Sequence, residues 1–88
     1  MMTDYNVSVD FHSGLDAEEL EYLFSDAQDI QQIGDTQWQA TYGVWAHNHA
    51  EAYRNAVNIV DASLELRNRD SAILGVVTYG PDENKHWE

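Results

Sequence analysis

Gln37-Trp38-Gln39-Ala40-Thr41-Tyr42-Gly43-Val44-Trp45-Ala46-His47 alternates apolar and polar side chains over eleven positions, longer than any other such run in the chain. Period two is the signature of a strand with one face buried, so Trp38, Ala40, Tyr42, Val44 and Ala46 are assigned to a core and Trp45 to the opposite face. The residues that follow switch period. Asn48 is suited to cap a helix with Glu51 three positions on, and Tyr53, Ala56, Val57, Val60 and Leu64 fall on one face at helical spacing. Arg67 and Arg69 suit the negative end of that helix. Ala52, Ile59 and Leu66 repeat every seven residues off the core stripe and widen its apolar arc.

Working back toward the N-terminus, Gly34-Asp35 reads as a two-residue hairpin turn, with glycine at the positive-φ first position of a type II′ turn. Residues 28–33 are polar and alternate poorly, which suits a short edge strand. Before them, Asp16 and Glu19 have the spacing of a capping box, Leu15 and Leu20 that of a hydrophobic staple, and Leu20, Leu23, Phe24 and Ala27 form an apolar stripe. At the start, Tyr5, Val7, Val9 and Phe11 alternate against Asn6, Ser8, Asp10 and His12, giving a first strand. Toward the C-terminus, residues 72–79 are almost wholly apolar around Gly75 and read as a strand buried on much of both faces. Gly80-Pro81-Asp82 ends it. Residues 1–80 are expected to form a single acidic α+β domain and 81–88 a polar tail.

The order strand, helix, strand, strand, helix, strand is that of a split βαβ arrangement and resembles the ferredoxin-like fold. The resemblance covers residues 5–79 and rests on element order. It implies a βαββαβ topology: a four-stranded antiparallel sheet with two helices on one face. That fold carries many unrelated activities and so transfers no active residue to this chain.

Charge narrows the functional classes more than any motif does. Up to residue 53 the chain has ten carboxylates and no lysine or arginine; from residue 54 it has six carboxylates against four basic residues, for a net charge of −12. Phosphate contacts need lysine and arginine in number, so direct nucleic-acid binding is disfavoured. With no cysteine there is neither a disulfide nor a thiolate metal site. The first residues lack a secretory signal and no apolar run approaches a membrane span, so a soluble cytoplasmic protein without membrane contact is expected.

Candidate chemistry is sparse. Ser8, Asp10 and His12 share one face of the first strand, about 6–7 Å apart along it, which is long for a proton relay. His47, His49 and His86, with Glu51, are the conceivable ligands of a zinc-like ion, but they lie on a strand-to-helix junction and a tail, so no metal, cofactor or enzymatic activity is expected. Unpartnered carboxylates of one sign act chiefly on what approaches the protein. Asp16, Glu18, Glu19, Glu21, Asp26, Asp29 and Asp35, on the first helix and its exit, are therefore the candidate partner-binding residues, directed at a basic protein surface such as that of a nucleic-acid-handling complex. In size, acidity and lack of cysteine the chain is similar to phage-encoded inhibitors of host defence, including anti-CRISPR and anti-restriction proteins. The resemblance implies a non-enzymatic DNA mimic. The alternative is a dimeric small-ligand-binding or enzymatic ferredoxin-like domain that uses the open sheet face, where Leu74 or Val76 with Trp45 would leave apolar area; the wide apolar arc of the second helix fits a homodimer and equally fits Ile59 and Leu66 packing against the first helix.

Overall fold

The computed structural model describes residues 2–65, 72–81 and 83–87, and the side chains of Leu64 and Glu65 are not among those described. The elements are β1 (Thr3–His12), α1 (Ala17–Leu23), β2 (Asp29–Gln32), β3 (Gln37–Ala46), α2 (His49–Glu65), β4 (Ala72–Tyr79) and β5 (Asn84–Trp87). They build one antiparallel sheet in the order β2-β3-β1-β4-β5. This corrects the four-stranded ferredoxin-like βαββαβ arrangement expected from the sequence. The C-terminal stretch expected to be a tail supplies a fifth strand, which pairs Val76 with Trp87 and Tyr79 with Asn84.

Alternation in β1 and β3 places the core. Val7 pairs with Tyr42 and Val9 with Ala40, and these four side chains are buried on the same face of the sheet. Both helices cover that face. Phe24, at the end of α1, stacks on Phe11 with ring centroids 5.0 Å apart. From α2, Ala52, Ala56 and Val60 enter the core, and the two alanines let the helix backbone approach the sheet closely. Ala52 thus belongs to the core and not to an outer stripe with Ile59, which is exposed. Leu66, Arg67 and Arg69 lie outside the described residues.

Two further expectations are corrected. No described glycine has positive φ, and the β2–β3 connection is not a two-residue type II′ turn. Ile33 N–H and Gly34 N–H both donate to the Gln37 carbonyl, at 2.9 and 3.1 Å, leaving Gly34, Asp35 and Thr36 as the loop, while Thr36 accepts from Ser13 N–H. Nor is β4 covered on both faces. Its register against β1 shifts between Asp10 and Phe11, and the extra residue, Leu74, is exposed; only Val76 and Thr78 are buried.

The added strand is latched by side chains distant in sequence. Trp87 stacks on Tyr53 of α2 with centroids 4.5 Å apart, and its indole N–H donates to Thr78 Oγ1 at 3.1 Å. Thr78 Oγ1 also lies 2.6 Å from Nδ1 of His49. An indole nitrogen can only donate, so Thr78 Oγ1 accepts from Trp87, while its contact with His49 Nδ1 takes either direction according to the imidazole tautomer. Gly80 is required by this packing, since a Cβ there would sit 2.8 Å from His49 Nε2 and 2.9 Å from the Tyr5 ring. Replacing Thr78 by valine keeps the shape but strips two partly buried nitrogens of their partner, which should cost about 1–3 kcal/mol in urea denaturation. The same variant should shift the Trp87 indole N–H resonance more than those of Trp38 and Trp45.

Candidate functional site

α1 begins where Asp16 leaves the extended region (φ −79°, ψ 168°) and its carboxylate accepts from Glu19 N–H at 2.9 Å. Glu18 and Glu19 occupy the first turn, where the partial positive charge of the helix end favours them. Leu20 is fully buried and fixes the rotation of the helix, with Leu15 and Leu23 packed beside it. At 100° per residue this turns Glu18, Glu21 and Tyr22 away from the core. Tyr22 is 74% exposed. Asp16, Glu18, Glu19, Tyr22 and Leu23 line an open concavity of about 240 Å³.

The seven candidate carboxylates are all exposed, but they do not form one face. Asp16, Glu18 and Glu19 share the concavity, and Glu21 stands on the same helix outside its lining. Asp26 lies in the α1–β2 connection, close enough to Tyr42 for its charge to act on the phenol. Asp29 is opposite Thr41, on the sheet face turned away from the helices, and accepts from Gln31 Nε2 at 2.8 Å. Asp35 sits in the β2–β3 loop, where its backbone carbonyl accepts from Gln32 Nε2 at 3.3 Å. Leu23 is assigned to the apolar stripe from the sequence, and Tyr22 is not singled out there. The signal for Tyr22 was its place two residues after Leu20, on the far side of the helical stripe.

The other constellations are placed equally plainly. Ser8 and Asp10 lie on the open face, but Ser8 Oγ bonds Thr41 Oγ1 at 3.2 Å and Asp10 Oδ1 accepts from Gln39 Nε2 at 2.9 Å. Those bonds run sideways to β3 and not along β1 toward His12, which pairs with Gln37. Trp45 projects from the same face, 64% exposed, opposite Asp4. His47, His49 and His86 do not converge: among the described residues no group of three or more histidines and carboxylates is arranged to hold a metal ion. No helix among the described residues is long and apolar enough to cross a membrane.

Comparison with protein-family models, with curated proteins and with solved structures finds no match to this chain.

One titration follows from the geometry. Burial, and secondarily the Asp26 carboxylate, push the Tyr42 phenol from 10.0 up to about 12. The folded state therefore holds this proton more tightly than the unfolded chain, so the contribution of Tyr42 to stability is complete below pH 10 and is lost as pH rises from 10 toward 12. Asp26→Asn removes the repulsion between the two anions. Tyrosine ring NMR should show Tyr42 ionising at lower pH in that variant, with a smaller change than burial alone causes.

Proposed function

We propose that this protein is a non-enzymatic binding module that docks the acidic surface of α1 onto a lysine- and arginine-lined surface of a partner protein. The observation that carries the proposal is the concavity in which Asp16, Glu18 and Glu19 surround the exposed ring of Tyr22. A guanidinium entering it meets carboxylates for charge-assisted hydrogen bonds and an aromatic face for cation–π stacking. Tyrosine is also among the residue types that most often dominate the binding energy of an interface. The rest of the N-terminal half supports steering, because no lysine or arginine precedes Arg54.

A basic surface of this kind is what nucleic-acid-handling proteins offer to phosphates. Duplex DNA presents about one negative charge per 1.7 Å of axis. Imitation of that charge would make the protein an inhibitor of such a partner, in the manner of anti-CRISPR and anti-restriction proteins.

An arginine-rich peptide titrated into the full chain and followed by amide NMR tests the reading. Residues 16–23 should shift first, and affinity should fall steeply with added salt. The triple variant E18K/E19K/E21K, which lowers the net charge from −12 to −6, should lose at least about tenfold in association rate. Substitutions at Asp10, His12 and Trp45 should leave binding unchanged. Binding that survives the triple reversal, or that maps to the open sheet face instead, overturns the proposal.

A further inference from the structure

The sheet has two edges, β2 and β5, and they are finished differently. β5 carries Lys85, whose ammonium lies 6.0 Å from the Trp87 ring centroid, and it is latched to α2 through Tyr53 and to β4 through Thr78. An edge lysine is a device that discourages further strand pairing. β2, Asp29-Ile30-Gln31-Gln32, has none.

The hydrogen-bonding parity of β2 shows which groups its outer edge, unpaired among the described residues, offers. Ile33 N–H donates to Gln37 C=O, in register with the ladder that pairs Gln31 with Gln39 and Asp29 with Thr41. In an antiparallel pair these residues turn their amides inward and the alternate ones turn outward. Ile30 and Gln32 therefore present both N–H and C=O to an incoming strand. Asp26 stands just before this edge, Asp29 on it and Asp35 just beyond it, all exposed, while Ile33 at its end is 48% exposed and offers an apolar contact.

We propose that the free edge of β2 is a strand-addition site for an extended, lysine- or arginine-rich segment of the partner protein. Main-chain hydrogen bonds to Ile30 and Gln32 would supply register and part of the affinity, and the three aspartates would select basic side chains on the added strand. Charge complementarity singles out this occupant over a second copy of the chain. Each copy carries −12, and self-pairing through β2 would bring the exposed Asp26, Asp29 and Asp35 of two copies into one neighbourhood with no lysine or arginine in either segment to offset them. The inference rests on the acidic-partner reading and adds the conformation of what is bound.

The experiment uses the full chain and a synthetic peptide of alternating lysine and valine, read by amide hydrogen exchange. Saturating peptide should slow exchange at Ile30 and Gln32 by about tenfold or more, the protection expected when an exposed amide joins a ladder. Asp29→Lys, which reverses a charge on the edge, should weaken peptide binding by about tenfold or more, since it removes one attraction to the basic peptide and adds one repulsion. Gln32→Pro, which deletes one outward donor and none that pairs with β3, should abolish the protection at Ile30 and leave the peptide-induced shifts on α1 in place. If α1 responds while Ile30 and Gln32 exchange as before, strand addition is refuted and the acidic-surface reading stands. If neither responds, both fall. If both amides are already protected without peptide, in proportion to protein concentration, the edge is filled by a second copy and the proposal is overturned.

Discussion

β1 is the strand on which every other element depends. It is bonded to β3 along Thr3–His12 and to β4 along Asn6–His12, and Val7, Val9 and Phe11 on its inner face are fully buried. Phe11 is also the platform for Phe24, and so for α1. A helix of seven residues has no stability of its own in water, because nucleation costs more than so few hydrogen bonds return. The acidic concavity thus exists only because Leu20 and Phe24 are held against β1, and a core defect far from any carboxylate would dissolve the surface that they form.

Within that frame the carboxylates have two opposed effects. Asp16 and the first-turn glutamates are favoured by the helix end and by the Asp16–Glu19 cap. Beyond the first turn they repel one another, with no fixed positive charge nearby in sequence to offset them. The hydrogen-bond donors to Asp10, Asp16 and Asp29 are neutral: two glutamine amides and a backbone N–H. Neutral donors orient a carboxylate without cancelling its charge, so the field survives into solvent within a screening length of about 8–10 Å.

Much of the fold was legible because its decisive signals are local. Strict alternation in 5–11 and 38–46 marks β1, β3 and their inner face, and the Asp16 and Asn48 caps mark the helix starts, as the bonds from Glu19 N–H and Glu51 N–H show. What escaped depends on contacts between residues far apart in sequence. Nothing in Asn84-Lys85-His86-Trp87 announces a strand until Tyr53 and Thr78 are brought to Trp87. The bulge at Leu74 and the burial of Ala52 instead of Ile59 are likewise decided by packing against β1 and α2. At the candidate site, composition identified the carboxylates but not their grouping. Strand parity sends Asp29 to the face away from the helices, while helix rotation gathers Asp16, Glu18 and Glu19 around Tyr22.

All seven candidate carboxylates fall between Asp16 and Asp35, the stretch that runs from α1 through β2 to the start of β3. This stretch contributes little to the core: Leu20 and Phe24 are its only buried side chains, with Leu23, Ala27 and Ile30 packed partly against the centre. β1, β3 and α2, by contrast, each insert three or more buried residues. Charge is tolerated where few apolar contacts have to be protected from it, and the same economy of contacts leaves backbone and side chains free to meet another molecule. An anionic helix surface and an unpaired strand edge in one stretch of twenty residues are two consequences of one condition. The β2 edge of the sheet carries aspartate where the β5 edge carries lysine and a docked tryptophan.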